Sequence, residues 1–222
     1  YDAMTDVPTN TSATQANYAV MNPLVNGSYT TLSSANLQTY GNTATDNGNS
    51  RSSMGFTAGK YYMEFTVTGT SAAGNSYPQY GIVAAVDGSL PNNSTPQVGS
   101  AASMSYPNNS VAYVSNGNKR TNNVSSAYGS TFTTNDVIGL AIDADNGAIY
   151  FSKNNTWQNS GVPTSGSSRT GAALTWTGAS IELLVANSEY NGSGSHANFG
   201  QRPFTYTPPS GYVALNTYNL ST

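Results

Sequence analysis

Hydrophobic and polar residues alternate along several short stretches of the chain, and this pattern predicts β-strands rather than helices. From Lys60 to Thr68, large apolar side chains alternate with a more polar set that includes Tyr62 and Glu64. Such alternation is typical of a strand with one buried and one solvated face. The sequence therefore predicts a half-buried strand here, with its apolar face formed by Tyr61, Met63, Phe65 and Val67.

A second stretch predicts a complete β-hairpin. Between Asp136 and Asp143 both faces are apolar or small, which indicates a strand that is buried on both sides. The residues 145–147, Asp-Asn-Gly, suit a tight turn, and 148–151 supply the returning strand. The acidic residues also resemble a calcium loop, but no glutamate stands at the required distance. We therefore interpret this stretch as a hairpin turn.

Further short strands are predicted over residues 29–32, 79–87, 111–115, 180–187, 195–199 and 212–216. Turns are expected at Asn47-Gly48, Asn116-Gly117 and Asn191-Gly192, and the only helical turn expected covers 15–21. Many short strands without intervening helices predict an all-β fold with two packed antiparallel sheets. We expect residues 1–54 to form an extension that packs on or leads into the sandwich, and residues 55–222 to form the sandwich itself.

Composition narrows the function. Only 8% of the 222 residues are charged, the net charge is −3, and seven Lys and Arg are scattered along the chain. Nucleic-acid binding and attraction to anionic membranes both need a basic surface, so neither is expected. No apolar run is long enough for a membrane span. The absence of cysteine and the single His196 argue against thiol chemistry and Cys- or His-based metal sites, and no cofactor is predicted.

The segment 129–157, which contains the hairpin, resembles the signature hairpin of SPRY domains. Three other segments match the family in the expected order: 59–65 resembles its opening strand, 80–83 a following strand, and 197–204 its closing strand. Asn155 stands where the family usually has Gly, and Met63 replaces a common Trp. The resemblance covers about residues 55–216 and implies a concanavalin-like antiparallel β-sandwich that acts as a non-catalytic binding module.

The flanking segments 4–10, 17–24 and 206–216 resemble SPRY segments in virion proteins of tailed bacteriophages and prophages. That resemblance implies a tail fibre or similar appendage, with the domain displayed on the virion surface, outside the cell. It also implies that the chain, which starts at Tyr1 without a methionine, is part of a longer polypeptide. The expected partners are a host-surface glycan or protein, other virion proteins and further copies of the chain.

Candidate binding residues come from the long segments between strands. The variable loops of SPRY domains form a recognition surface, and the resemblance assigns the segments 88–109, 116–128 and 188–194 to it. Tyrosine among Ser, Gly and Asn is typical of recognition loops and suits stacking on sugar rings. The alternative is that these rings simply cap the ends of the sandwich. The candidate ligand-binding residues are Tyr77, Tyr106, Asn109, Tyr128, Trp176 and Tyr190.

Catalysis is the least favoured function. Glycoside hydrolysis needs two carboxylates in one cleft, and no motif connects the glutamates Glu64, Glu182 and Glu189. Ser195 beside His196 lacks the nucleophile turn and oriented acid of a triad. We expect host recognition by many weak sites acting together. The alternative is an assembly module that contacts other virion proteins, which an exposed edge strand or a flat tyrosine-rich patch would favour.

Overall fold

A computed structural model of the chain describes residues 12–42, 47–71, 76–85, 97–99, 110–177 and 182–220. Its strands are β1 Thr30–Ser33, β2 Gln38–Gly41, β3 Gly48–Phe56, β4 Lys60–Gly69, β5 Gln79–Ala84, β6 Val111–Val114, β7 Asn118–Thr121, β8 Val124–Ala127, β9 Val137–Asp143, β10 Ala148–Lys153, β11 Thr156–Trp157, β12 Leu174–Thr175, β13 Leu183–Glu189 and β14 Gly194–Asn198. The helical segments are three short 3-10 turns, Pro23–Val25, Gln158–Ser160 and Pro163–Ser168, and the helix α1, Thr217–Leu220. The predicted all-β fold is confirmed.

The strands form two antiparallel sheets. The first has the order β1-β2-β14-β4-β9-β10-β11, with β12 also paired to β10, and the second has the order β3-β13-β5-β6-β7-β8. The main hydrophobic core lies between them and includes the inward faces of β4, β9 and β13. Aromatic rings cross this core, with Phe65 of the first sheet stacked on Tyr80 of the second at 4.7 Å between ring centroids. The two sheets are therefore held together by direct packing of their inner faces.

The predicted hairpin is present in full. Strands β9 and β10 pair in continuous register from Asp143 opposite Ala148 to Ile138 opposite Lys153. Gly147 in the turn has φ 68°, a conformation that costs glycine little. Asp143 accepts hydrogen bonds from the main-chain and side-chain nitrogens of Asn146 and pairs with Lys60, 3.1 Å away. These acidic residues thus stabilise a turn, as predicted.

Strand β4 differs from the prediction because its outward face is also buried along the first half of the strand, while Thr68 near its end is exposed. Its inward face joins the main core as expected, but Tyr62 and Glu64 on the outward face are also buried. The segment 199–216 covers them: the Phe204 ring lies 5.0 Å from the Tyr62 ring, and Tyr212 joins the same cluster. Trp157 is partly buried against this outer cluster. The prediction of a half-buried strand was wrong because a distant segment supplies the cover.

The N-terminal strands belong to both sheets. Strands β1 and β2 form one edge of the first sheet, where β2 pairs with β14, and β3 forms an edge of the second sheet beside β13. The predicted outer strand at 29–32 is confirmed as β1. Residues before β1 continue along β3, since Ser53 N–H donates to Val20 C=O and Asn22 N–H donates to Arg51 C=O, both at 2.7 Å. The boundary predicted between residues 54 and 55 falls inside β3.

Three local predictions are wrong. The helical turn over 15–21 is absent, and this stretch instead makes isolated bridges that include Tyr18 opposite Asn216. Residues 212–216 form only such bridges and no strand. Asn47-Gly48 is not a turn, because β3 begins at Gly48, which pairs with Glu189. In each case the pairing partner lies far away in the sequence, so local residue preferences do not decide the conformation.

Candidate functional site

The candidate site lies at the end of the sandwich where β13 turns into β14. We call the three tyrosines beside this turn the tyrosine cluster: Tyr77 and Tyr190, whose rings pack together, and Tyr40, whose ring lies near Gly192 and Gly194. The rings of Tyr77 and Tyr190 are 5.4 Å apart between centroids and inclined at 35°. Tyr77 is buried, Tyr190 is partly buried, and Tyr40 on β2 is 47% exposed. The cluster therefore presents aromatic surface to solvent on a supported base.

The turn between β13 and β14 fixes the position of Tyr190. Asn191 and Gly192 at its tip have φ of 43° and 83°, as their predicted role in a tight turn requires. Tyr190 N–H donates to Ser193 Oγ at 2.8 Å. Gly41 on β2 donates its N–H to Ser193 C=O and accepts one from Gly192 N–H, each at 2.9 Å. The turn and the end of β2, which carries Tyr40, thus form one unit.

A neighbouring turn is connected to the segment that carries Tyr77. Asn116 at the start of the β6–β7 turn donates from Nδ2 to Ser76 Oγ at 3.1 Å, and its Oδ1 accepts from Asn118 N–H. Gly117 in this turn has φ 88°. These uncharged groups lie next to the tyrosine cluster in sequence and space, so the site offers ring faces beside amide and hydroxyl groups.

Below the turn, Glu189 is fully buried between the sheets. Its carboxylate accepts hydrogen bonds from Thr39 Oγ1, Ser195 Oγ, Ser193 Oγ and Asn187 Nδ2 at 2.6–3.0 Å. Burial raises the pKa of Glu189 to about 7 although these donors act in the opposite direction. Tyr80 lies close to Glu189 and Ser195, and burial together with the Glu189 charge raises the pKa of Tyr80 well above its usual value. Glu189 therefore anchors the turn that carries Tyr190 through Ser193.

The structure separates two of the other predicted site residues, Tyr128 and Trp176, from this cluster. Tyr128 lies in the core, where its ring packs against Tyr113 and its hydroxyl accepts from Phe151 N–H. The prediction of a loop over 116–128 was wrong, because most of it forms the hairpin of β7 and β8. Trp176 is partly buried at the opposite end of the sandwich, where its N–H donates to Gly147 C=O. Tyr106 and Asn109 lie outside the described residues.

The strands that flank the segment 88–109 meet it at the end of the molecule opposite the tyrosine cluster, and its described residues 97–98 lie beside β5 and β13. Strand β5 ends at Ala84 and β6 begins at Val111, both at the end opposite the tyrosine cluster. Of the segment 88–109, the structure describes 97–99, where Val98 packs on the outward face of the second sheet. Gln97 Oε1 accepts from Gln79 Nε2 at 3.1 Å and Val98 N–H donates to Ser188 Oγ at 3.0 Å, so these residues reach the end of the second sheet near the tyrosine cluster. The β6–β7 turn lies beside Tyr77 through Ser76, and the β13–β14 turn lies beside it through Tyr190.

Sequence reasoning missed Tyr40 and the role of Glu189. Tyr40 lies on a short strand of polar residues, 38–41, whose weak pattern gave no reason to single it out. Glu189 follows the apolar strand β13 and is surrounded by residues from β2 and β14, which the sequence does not bring together. A glutamate that continues the inward-facing positions of a buried strand is the one signal that could have identified it.

The three glutamates considered as a hydrolytic pair do not share a cleft. Glu64 is buried on the outward face of β4, where it accepts N–H groups of Thr205 and Tyr206 at 2.8 and 2.9 Å. Glu189 is enclosed between the sheets, and Glu182 is exposed beside an open groove of about 310 Å³ with no second carboxylate in its lining. Glycoside hydrolysis needs two carboxylates facing one cleft, which none of these provides.

The Ser195–His196 pair does not form a catalytic dyad. Adjacent strand residues point to opposite faces, so Ser195 donates to Glu189 inside the sandwich while His196 lies on the other face. The described residues contain no group of three or more His, Cys, Asp or Glu that could hold a metal ion. No helix within them is long and apolar enough to cross a bilayer.

Comparison with known proteins decides the family. The SPRY domain model matches residues 60–173, which run from the start of β4 past the 3-10 turn after β11. This chain belongs to the SPRY domain family. The crystal structure of the SPRY domain of human HERC1 superposes with a TM-score of 0.58 at 16% identity, covering 82% of this chain and 99% of that one.

A second human SPRY domain crystal structure gives a TM-score of 0.57 at 16% identity and covers 79% of this chain and 98% of that one. These likenesses show the fold. No curated protein sequence matches the chain. SPRY domains are generally non-catalytic, protein-binding modules, and the two-sheet sandwich described above is their architecture.

Proposed function

We propose that this SPRY domain is a non-catalytic binding module of a phage virion appendage, displayed on the virion surface, and that it recognises a host-surface glycan through the tyrosine cluster. The observation that carries the proposal is the packed Tyr77–Tyr190 pair beside the exposed Tyr40 at one end of the sandwich. Stacking on a sugar ring needs an aromatic face that is held in place and partly open to solvent. This cluster meets both requirements.

The chemistry around the cluster suits a neutral sugar. The nearest turns carry Asn116, Asn191 and Ser76, which supply hydrogen-bonding groups without charge. Hydroxyl groups of a sugar are read by such amides and hydroxyls, while the ring faces contact its C–H surface. A site of this size binds weakly, and several copies on one appendage raise the apparent affinity through effective concentration.

The virion setting of the proposal is supported by the flanking segments 4–10, 17–24 and 206–216, which resemble SPRY segments of tailed-phage virion proteins. The low charge of the whole chain, 8%, agrees with a surface that binds uncharged ligands in varied ionic conditions.

A glycan array tests the proposal. The domain is displayed as a multivalent assembly and compared with Tyr190→Ala and Tyr40→Ala variants. Removing an aromatic face from the centre of a small site is expected to lower binding to the preferred glycan at least about tenfold. Tyr218→Ala is the matched control, since Tyr218 is a partly exposed tyrosine on α1 at the opposite end. Equal binding by the wild type and both cluster variants would refute recognition at this site.

The second candidate function is a structural module that contacts other virion proteins. The observation that favours it is the hairpin of β7 and β8, in which all four residues of β8 are exposed at the edge of the second sheet. An array without any binding by the multivalent domain, together with retention of the domain in assembled particles, would favour this function.

A further inference from the structure

Strand β8 is an open sheet edge. It pairs with β7 through Thr121 opposite Val124 and Asn118 opposite Ala127, and it is the last strand of the second sheet. All of its residues are exposed, with Val124 at 63%. No described residue outside β7 forms a main-chain hydrogen bond with 124–127. One side of this strand therefore faces solvent with its main-chain groups.

The turn geometry identifies which groups face outward. Asn122 and Asn123 connect the strands and both have positive φ, 50° and 58°, which makes a two-residue type I′ hairpin. In such a hairpin the residues flanking the turn, here Thr121 and Val124, form the hydrogen-bonded pair, and the pairs then alternate. The N–H and C=O groups of Ser125 and Ala127 consequently point away from β7.

This edge lacks the features by which proteins usually block strand addition. Strand β8 has the sequence Val-Ser-Ser-Ala, without a charged residue, a proline or a bulge. The other edge of this sheet, at β3, is covered: residues 20–27 run along it, and main-chain hydrogen bonds from Asn22 and Ser53 connect the two segments. Open edges with unpaired main-chain groups are the acceptors of strand addition.

A basic residue lies beside the edge on the outward face. Arg120 on β7 pairs with Ala112, which packs with Val98 on that face, and Ser125 is its neighbour on β8. The Nε of Arg120 is buried and donates no hydrogen bond, and no carboxylate of the described residues lies within ion-pair distance of its guanidinium. Lys119, by contrast, faces inward and donates to Ala173 C=O.

We propose that the β8 edge binds an extended segment of a partner protein as an additional antiparallel strand, with an acidic side chain of that segment facing Arg120. The added strand lies two strand spacings from β7, about 10 Å, and the long side chains of Arg120 and a glutamate opposite Ser125 can together span this distance. This interaction does not depend on recognition at the tyrosine cluster, which lies elsewhere on the molecule.

A second copy of the chain fits this edge less well than an acidic strand. Pairing β8 with itself would place two Arg120 side chains on one face with no carboxylate of β8 between them. A strand of four residues also supplies only a small part of the roughly 1,200–2,000 Å² that stable interfaces bury. A separate extended peptide needs no such area, because main-chain hydrogen bonds provide much of its affinity.

The test uses a synthetic peptide, Thr-Glu-Val-Glu-Thr-Glu-Val, and a control peptide with Lys in place of Glu. Each is titrated to about 1 mM into the isotopically labelled chain while main-chain amide signals are followed by NMR. We expect the acidic peptide to shift the amide signals of Ser125 and Ala127 and to slow their hydrogen exchange, and the Lys peptide to bind at least about tenfold more weakly.

Substitutions at the edge separate strand addition from other binding. Ser125→Pro removes an outward N–H without removing a hydrogen bond to β7, and we expect it to weaken binding of the acidic peptide about tenfold. Ser125→Val is the matched control, because it retains the N–H. Arg120→Gln should remove the preference for the acidic over the Lys peptide while leaving strand addition in place.

Several results would overturn the inference. Peptide binding that is unchanged in Ser125→Pro, or signal changes that avoid β8, would show that the edge is not the site. Equal affinity for the two peptides in the wild type would remove the role of Arg120. Concentration-dependent dimerisation of the chain that Ser125→Pro abolishes would make a second copy the occupant. If Ser125→Pro does not fold, the comparison of the two peptides in Arg120→Gln decides the question.

Discussion

At the scale of single residues, Glu189 is a buried carboxylate in a setting that opposes its charge. It is fully buried, and its neighbours from every packed element are the uncharged hydroxyls and amide of Thr39, Asn187, Ser193 and Ser195 together with the tyrosine Tyr80. No cation lies within ion-pair distance of it among the described residues. Hydrogen bonds alone thus stabilise its ionised form.

This setting predicts that stability falls as the pH rises from about 4.5 to about 7. The pKa of Glu189 is about 7 in the folded protein against an ordinary 4.5, so in this window the folded state retains a proton that the unfolded state releases. The loss can reach about 3 kcal/mol above pH 7. Glu189→Gln should abolish this contribution, as measured by denaturant unfolding between pH 5 and 8. Glu182→Gln, which changes an exposed carboxylate, should retain the fall in stability with pH. The same dependence of the unfolding free energy on pH in both variants would contradict the assignment to Glu189.

Glu64 is a second buried carboxylate, and it holds a segment that is distant in the sequence by accepting hydrogen bonds from main-chain N–H groups. Its carboxylate accepts from Thr205 N–H, Tyr206 N–H and Tyr62 Oη, and it is 1% exposed. Glu64→Ala leaves those buried donors without their acceptor, and we expect a loss of about 2–4 kcal/mol in the free energy of unfolding. Amide exchange at Thr205 and Tyr206 should accelerate. Tyr62→Phe removes only the hydroxyl and should leave this exchange slow; rapid exchange in both variants would argue against the carboxylate as the anchor.

At the scale of elements, the hairpin of β9 and β10 could be predicted because every local signal agrees. Its strands are apolar on both faces, and Asp143 and Asn146 are hydrogen-bonded within the turn itself. The burial of Tyr62 and Glu64 on the outward face of β4 could not be predicted, because the groups that cover Glu64 belong to Thr205 and Tyr206, more than a hundred positions later in the sequence. Alternation along a strand reports which face is more apolar and says nothing about what a remote segment will cover.

The same reasoning explains where the structure places the predicted site residues. Tyr190 could be singled out because a predicted turn, Asn191-Gly192, follows it directly. Tyr128 was placed in a recognition loop because the family resemblance assigned 116–128 to one, whereas its ring points into the core from the residue after an exposed edge strand. Polar composition is common to loops and to edge strands, so only the pairing of β7 with β8 distinguishes them.

At the scale of the whole molecule, the sandwich includes strands from both ends of the described chain. Strands β2 and β3 contact β14 and β13, which lie on the far side of the SPRY match at residues 60–173. Both sheets would lose an outer strand without the N-terminal segment. We therefore expect the independently folding unit to be larger than the segment that the family model matches.

A truncated chain that starts at residue 55 tests this conclusion. Removal of β1, β2 and most of β3 exposes main-chain groups of β13 and β14 and part of the core, so we expect the truncated chain to lack a cooperative thermal transition by circular dichroism. Addition of a separate 1–54 peptide should restore the transition. A truncated chain that melts cooperatively alone, at the temperature of the full chain, would show that the N-terminal strands are dispensable.

The contact between the two ends of the described chain has a mechanical consequence. Tyr18 bridges Asn216 in antiparallel fashion, Ala19 N–H donates to Leu215 C=O at 3.0 Å, and Thr217 N–H donates to Asn17 C=O at 2.9 Å. Residues 17 and 217 lie opposite each other, so tension applied through them would break these few hydrogen bonds one after another. The two sheets would bear no load until these bonds had broken. In a polypeptide that contains this domain, tension applied through these two residues would therefore pass through this short pairing and not through the two sheets.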